Sequence, residues 1–401
     1  MRRALGRRRP RAADSRSQLA RGYRARFRAQ IDPDLAVFAA YWYRGYFCNP
    51  RAIYEKAQEM VPSLRGVWVV KRGLEGSIPA GVDHVVAGTS EYYDLIARAR
   101  YFVNNVNFPN HLVKREGTVH LMTHHGTPLK RMGLDLRNTP GADSRTDFDG
   151  LMRRVARWDY SVSQNAFSTD IWKRAFPVPF ESLEVGYPRN DVLATATEDA
   201  ARRIRAELDI APDQRAVLYA PTRREYDPTY VPVSDVAAAA ERLGSGYVVL
   251  ARLHYLDSTD RRLAELQEAG LLRDVTDHPS VEELCIAADL LITDYSSIMF
   301  DYAVLDRPIV IHAPDWNEYR ARRGTYFDLM AEPPGIATTT AEELLDALAS
   351  RAFASEQADL TRAAFRARFC MLDDGRAAER VVRRLWAGDA QDAHRRGAIA
   401  R

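Results

Sequence analysis

The chain has 401 residues, 57 Lys and Arg against 54 Asp and Glu, a net charge of +3, and 46% apolar residues. That length suggests two domains of ordinary size with real cores, which excludes a polycation or a low-complexity chain. Cys48, Cys285 and Cys370 show neither paired nor metal-ligand spacing, no apolar run approaches bilayer length, and the N-terminus lacks a signal-peptide core; a disulfide scaffold, a helical membrane span and an exported precursor are therefore not expected.

Residues 1 to about 30 form a basic leader, with Arg2, Arg3, Arg7, Arg8, Arg9, Arg11, Arg16, Arg21, Arg24, Arg26 and Arg28 against Asp14. Leu19, Tyr23 and Phe27 fall four apart, so a helix over Ser17 to Arg28 would carry one apolar and one arginine-rich face. Two uses stay open: a solvated tail, or attraction to an anionic membrane at roughly 1 kcal/mol per basic residue near the surface. Nucleic acid would also attract such an arm. No base-reading module accompanies it, so nucleic acid is not an expected partner.

The chain becomes globular from Asp34. Ala36 to Phe47 is apolar and aromatic, and Ala52 to Met60 reads as a helix. Val67–Val70, His84–Ala87 and Tyr101–Asn104 read as strands, with a helix over Glu91–Arg100. This alternation predicts βαβ units and a parallel sheet. A further strand from Val119 ends in His124, His125, Gly126, Thr127 and Pro128. Functional loops of open α/β sheets sit at such strand ends. Adjacent residues on a strand point opposite ways, so one histidine is expected to face the crevice and the other to pack. Asp159–Ser163 and Leu183–Gly186 complete the strands of this half, the latter running into Tyr187-Pro188-Arg189-Asn190-Asp191. Ala211-Pro212-Asp213 reads as the join between domains.

The second half repeats the architecture. The strand Ala216–Ala220 ends in Pro221-Thr222-Arg223-Arg224, and Tyr247–Leu253 carries Arg252 with His254 after it. Ser280 can cap a helix over Val281–Ala288. Asp289 to Tyr302 then reads as an apolar strand, a polar turn with Ser296 and Ser297, and a helix start. Free N–H groups and hydroxyls there suit a phosphate, although an ordinary N-cap explains the same residues. Pro308–His312 is the next strand. Helices are predicted over Thr340–Arg351, Glu356–Phe369 and Arg376–Trp386. The domains are thus drawn as a leader (1–33), an N-terminal Rossmann-like domain (34–210), a C-terminal one (211–375), and a final helix and tail (376–401).

Polar clusters therefore gather at strand ends in both halves. One set holds His125, Gly126, Thr127 and Arg189; the other holds Thr222, Arg223, Arg252, His254, Ser296 and Ser297. The second set is rich in cations and hydroxyls and poor in acids, which is the chemistry of a pyrophosphate cradle. The first offers a histidine to accept a proton near neutral pH. Taken singly, His254 also fits a core histidine and Arg252 a structural ion pair. No GxxxxGK[ST], strand-GxGxxG or GxSxG is present. The acid pairs Asp32/Asp34 and Asp147/Asp149 read as turn acids or caps, so neither metal nor cofactor is expected.

Several motifs together resemble the CDP-glycerol glycerophosphotransferase family, the teichoic-acid primases and polymerases. They are NPRAIYE (Asn49–Glu55), HHGTPLKRMG (His124–Gly133), GYPRND (Gly186–Asp191), YAPTRRE (Tyr219–Glu225), RLH (Arg252–His254), ITDYSSIMFDY (Ile292–Tyr302) and YRARRGTYFDL (Tyr319–Leu329). The resemblance spans roughly Tyr46 to Trp386, and HGTP followed by DYSS is its most specific part. It implies a GT-B architecture, two Rossmann-like parallel-sheet domains facing a central cleft. It implies transfer of a polyol phosphate from CDP-glycerol or another CDP-polyol to a lipid-linked polyol-phosphate acceptor, at the cytoplasmic face of the membrane. By carry-over His125 is the base. Gly126, Thr127, Arg189, Pro221, Thr222, Arg252, His254, Ser296 and Ser297 hold the donor; of these, Arg189, Thr222, Arg252, His254, Ser296 and Ser297 also stabilise the departing CMP, and His254 is counted as catalytic beside His125. Arg223 stands where many members carry tryptophan. A nucleotide-sugar glycosyltransferase and a non-catalytic nucleotide or polymer binder remain the alternatives.

Overall fold

The protein is described by a computed structural model that covers residues 22–137, 139–140, 146–224, 226, 233–253 and 261–387. His254, Glu225 of YAPTRRE and residues 1–21 of the basic leader lie outside the described residues.

The first sheet is built from β1 (Asp32–Ala39), β2 (Arg65–Val70), β3 (His84–Val86), β4 (Ala99–Asn104), β5 (Val119–Met122), β6 (Tyr160–Ser163) and β7 (Glu181–Glu184). Its order is β3-β2-β1-β4-β5-β6-β7, with every strand pair parallel. The second is built from β8 (Arg215–Ala220), β9 (Tyr247–Ala251), β10 (Arg273–Asp274), β11 (Leu290–Thr293), β12 (Ile309–His312) and β13 (Ile336–Thr338). Its order is β10-β9-β8-β11-β12-β13, again wholly parallel. Each sheet grows outward from its first strand and then restarts on that strand's other side. The switch points fall between β1 and β4 and between β8 and β11, and crevices at the carboxyl ends of such strands are where open α/β sheets bind ligands.

The sequence forms these sheets because its central strands are apolar on both faces. On β1, Ala36 and Phe38 lie in one core cluster while Leu35, Val37 and Ala39 lie in the cluster on the opposite face. On β8, Ala216, Leu218 and Ala220 divide from Val217 and Tyr219 in the same way. A continuous apolar run is what a parallel strand covered by helices on both sides requires.

The helices that bear on the cleft are α1 (Cys48–Met60), α2 (Ala166–Ala175), α3 (Val281–Ala287), α4 (Ile298–Tyr302), α5 (Glu356–Phe369) and α6 (Ala377–Val382). Asn165 caps α2 by accepting from the Ser168 N–H at 2.8 Å. Ser280 caps α3 as predicted, accepting from the Glu283 N–H at 3.1 Å.

Several elements differ from the sequence reading. β1 is hidden inside an aromatic stretch that continues past its end, yet it is an interior strand of its sheet, between β2 and β4. β10 and β13 are not among the expected strands; at two and three residues, both are too short to show periodicity. Tyr23, assigned to the apolar face of a leader helix, is instead buried in the first domain's core, with Phe27 packed against the same cluster. Its hydroxyl donates to the Val113 carbonyl at 2.9 Å. Those two side chains are therefore occupied inside the protein. The C-terminal segment also crosses back: Val381, Val382, Leu385 and Trp386 join the core cluster of Phe38 and Trp68 in the first domain. Among the described residues no helix is long and apolar enough to cross a membrane.

Candidate active site

β5 ends at Met122, and the chain then turns sharply through His124 (φ +51°) and Gly126 (φ +144°). The two histidines diverge. His124 is buried: its ring stacks on Trp172 at 4.0 Å, and its Nε2 lies 2.9 Å from the Ser161 hydroxyl. Burial, reinforced by neighbouring His125, holds its pKa well below the ordinary histidine value. His125 keeps a solvent-exposed edge. Its Nδ1 lies 3.0 Å from the main-chain carbonyl of Asn105. A carbonyl only accepts, so Nδ1 carries the hydrogen and Nε2 keeps its lone pair. Desolvation by the surrounding protein lowers the His125 pKa, the Asn105 contact opposes this, and the Arg189 and Lys130 cations add to the lowering. Water at the exposed edge offsets part of the desolvation; the direction leaves a neutral imidazole at neutral pH.

Thr127, expected at the donor, is fully buried, and its hydroxyl is already engaged by Gln164 Oε1 at 2.5 Å and Ser168 Oγ at 3.1 Å, with Asn165 Nδ2 at 3.3 Å. It pins the loop and has no hydrogen-bonding capacity left for a ligand. Gly126 does meet the second domain. A Cβ placed on it would fall 2.4 Å from Ser297 Oγ and 3.4 Å from an Arg189 guanidinium nitrogen. The HGTP loop, the GYPRND arginine and the DYSS turn therefore converge at one point.

Arg189 is buried, and its guanidinium pairs with Asp301 of α4 across the two domains. Burial opposes the charge on Arg189, but the Asp301 carboxylate outweighs that and raises its pKa; burial pushes Asp301 up while Arg189 pulls it back. The direct contact keeps the pair ionised. Arg189 is therefore not a free cation waiting for phosphate, although its Nε has no hydrogen-bond partner. Asn49 fixes the same corner: its Nδ2 donates to the carbonyls of Thr123 and His124 at 3.0 Å each, and its Oδ1 accepts from the Arg189 N–H at 3.0 Å.

On the second domain, Thr222 follows β8 and the serines follow β11, so both lie at the topological switch point. Thr222 donates its N–H to Asp294 Oδ1 at 2.8 Å, and its buried hydroxyl has no partner. Pro221 lies beside it, partly exposed. Asp294 is not a helix cap; it accepts from Thr222, from Tyr295 and from Arg224, the last at 2.7 Å. Arg224 also pairs with Asp315 at 2.7 Å and lies over the Tyr295 ring at 4.6 Å. This buried network braces the wall of the cleft. α4 spans only Ile298–Tyr302, so its contribution is a few N–H groups rather than a macrodipole. Ser296 Oγ accepts from the Ile298 N–H at 3.4 Å, while the Ser297 side chain makes no cap bond. Arg252 is half-buried and donates to the carbonyls of Val275 at 3.3 Å and His278 at 2.7 Å. Among the described residues no carboxylate stands within ion-pair distance of it. Desolvation lowers its pKa, with the more distant Glu282 opposing. It is the better-placed cation for an anionic ligand.

The structure thus gathers His125, Gly126, Arg189 and Ser297, sets Thr222 and Ser296 on the neighbouring wall, and turns Thr127 inward. Sequence reasoning gave no role to Asn49, Asn105 or Arg224, and read Asp301 as shaping the helix start, where the structure pairs it with Arg189. Each acts through a tertiary partner. Asn49, Asp301 and Arg224 stand in quoted motifs, whereas Asn105 is marked only by following the strand end at Asn104.

Two doubly wound domains with apposed strand ends define a GT-B-type architecture. The chain belongs to the CDP-Glycerol:Poly(glycerophosphate) glycerophosphotransferase family, whose model matches residues 22–387. It is 33% identical over 374 residues to a teichoic acid poly(glycerol phosphate) polymerase of Bacillus subtilis (strain 168), covering 90% of this chain and 50% of that protein. It is 34% identical over 366 residues to a teichoic acid glycerol-phosphate transferase of Staphylococcus aureus (strain NCTC 8325 / PS 47), covering 88% of this chain and 93% of that one. The chain therefore spans about half the length of the first of these relatives and nearly all of the second. Among solved structures, the wall teichoic acid polymerase TagF superposes with a TM-score of 0.84 at 32% identity over 94% of both chains. A variant of that polymerase soaked with CDPG matches equally well, with a TM-score of 0.84. WaaG, a glycosyltransferase of lipopolysaccharide biosynthesis, shares the fold at a TM-score of 0.51 and 14% identity.

Proposed function

We propose that this chain transfers glycerol phosphate from CDP-glycerol to a hydroxyl of a lipid-linked acceptor or growing teichoic-acid-like polymer, releasing CMP. The observation that carries the reading is the free Nε2 of His125, one residue from the contact of Gly126 with the Ser297 turn. A base on one domain thereby stands beside a wall of hydroxyls and N–H groups on the other. Family membership supports the donor class, and the likeness to polymerases supports the acceptor class.

In this reading Nε2 takes the acceptor hydroxyl's proton while its oxygen attacks the glycerol-linked phosphorus. A new P–O bond forms, the P–O bond to CMP breaks, and CMP leaves carrying the electron pair. Developing charge on the leaving phosphate is met by Arg252, the Thr222 hydroxyl and the Ser296–Ser297 turn, which is where electrostatic stabilisation has most effect. His254 belongs to the same donor site by its RLH motif. The lipid-linked acceptor implies work at an anionic membrane surface, with the arginine-rich leader as the attracting segment.

The test is CMP release from CDP-glycerol with a glycerol-phosphate-primed lipid acceptor. His125→Ala is expected to keep its thermal unfolding transition and lose turnover by roughly 10²-fold or more, the usual scale for a general base. Near-normal turnover would remove the assignment. Deleting residues 1–21, which spares Tyr23, is expected to weaken cosedimentation with phosphatidylglycerol vesicles; unchanged binding would remove the leader's membrane role.

A further inference from the structure

At the switch point of the first sheet, β1 and β4 run side by side with Ala39 opposite Asn104. Just past their ends the chain does something costly. Tyr41, Trp42 and Tyr43 stand in succession at φ +45°, +58° and +70°, a left-handed run without a glycine. Non-glycine residues seldom adopt this region singly, and strain of this kind persists only where surrounding contacts over-determine it.

Asn105, 2% exposed, supplies such a contact. Its side-chain Oδ1 accepts from the Tyr41 N–H at 2.9 Å, while its main-chain carbonyl receives His125 Nδ1 at 3.0 Å. The turn in turn sets the Tyr41 ring edge-on to the His125 imidazole, with centroids 5.6 Å apart. The opposite end of the run is anchored by the Tyr43 carbonyl, which accepts from the Lys71 N–H at 2.8 Å. One residue therefore ties the strained turn and the imidazole together.

We propose that Asn105 and Tyr41 are positioning residues for His125. The Asn105 carbonyl fixes the tautomer with Nε2 basic, and the Asn105 side chain holds the turn that presses Tyr41 against the ring. This rests on the reading of His125 as the base. Neither residue needs to touch substrate.

Asn105 Nδ2 is buried without a partner, so Asn105→Asp removes no hydrogen bond made within the protein. It keeps an acceptor for Tyr41 and introduces a carboxylate near the imidazole, which favours the protonated ring. Steady-state CMP release by the full chain, with CDP-glycerol and the primed acceptor, separates the effects. Asn105→Ala is expected to lower kcat by about 10²-fold, the scale for a catalytic group displaced by roughly 1 Å, with KM for CDP-glycerol unchanged. Asn105→Asp is expected to move the acid limb of the kcat profile to higher pH. Tyr41→Phe should retain activity and Tyr41→Ala should lose it, because the ring rather than the hydroxyl is used. If His125→Ala is inactive while Asn105→Ala keeps wild-type kcat and Asn105→Asp leaves the acid limb in place, the positioning role is overturned and the base survives. If His125→Ala remains active, the base assignment itself has failed. Should Asn105→Ala not fold, the Tyr41 pair decides: wild-type kcat in Tyr41→Ala overturns the proposal.

Discussion

Arg189 and Asp301 illustrate how burial changes the use of a charged side chain. Each side chain retains less than a tenth of its exposure, at 7% and 8%, so neither charge has water to fall back on. Removing one partner leaves the other buried and uncompensated, which costs about 3–5 kcal/mol. Asp301→Ala is accordingly expected to lower unfolding free energy by about that amount in urea denaturation, while an exposed pair such as Arg202–Glu198 should cost less than about 1 kcal/mol. Equal losses at the two sites would contradict the role given to the buried pair. The pH behaviour of His125 follows from the same physics. Its pKa lies below the ordinary value, so the neutral, proton-accepting form persists on acidification. The acid limb of kcat in the wild type should fall below about pH 6.5, the value for an unperturbed imidazole. An acid limb above that value would mean that another group limits the reaction.

At the scale of elements, the close approach of the two walls depends on Gly126. A side chain there would meet both Ser297 Oγ at 2.4 Å and Ser297 Cβ at 2.7 Å, and the second atom cannot swing away. The backbone at φ +144° adds a further penalty for any L residue. Gly126→Ala should therefore destabilise the protein, and Ser297→Gly should relieve part of that loss, giving a coupling of about 1 kcal/mol in a double-mutant cycle. Additive effects would show that the two walls do not touch. Such a contact was only half legible. The glycine and the serines were visible as motifs at strand ends, because strand, turn and helix leave marks in local pattern. That they meet was supplied by the family resemblance, not by spacing. β1 illustrates the other loss: its apolar run merges with Tyr41-Trp42-Tyr43, whose left-handed turn has no glycine to announce it. Asn49, Asn105 and Arg224 were opaque for a different reason. Their function lies in partners distant along the chain, to which hydrophobic periodicity is blind.

The whole molecule is joined by more than the connection near residue 211. The chain leaves the second domain through α5, and Phe369, at the end of α5, accepts through its carbonyl from Asn165 Nδ2 at 2.8 Å. Asp373 then receives Gln164 Nε2 at 2.6 Å, the Tyr187 N–H at 3.0 Å and Asn190 Nδ2 at 3.3 Å, all from the first domain. Asp191 caps the returning α6 through the N–H groups of Ala377 and Ala378, both at 2.8 Å. GYPRND is thus the joint of the protein as well as a wall of its cleft. Burial pushes the Asp373 carboxyl up to about 7, against the pull of its donors. An unfolded aspartate titrates near 3.9, so between these values the folded chain holds a proton that the unfolded chain has lost. Its contribution to stability is therefore fully present below about pH 4 and is lost as pH rises through about 7, the reverse of an ion-paired aspartate. Between pH 5 and pH 7.5 the loss from this one group should be on the order of 2 kcal/mol. Asp373→Asn cannot titrate, and its urea midpoint should fall less than that of the wild type over this window. Parallel pH profiles for the two proteins would locate the titration elsewhere. A steeper fall in the wild type would mean that alkalinity loosens the joint holding the HGTP and DYSS loops in register, and turnover should then decline in the wild type before it does in the variant.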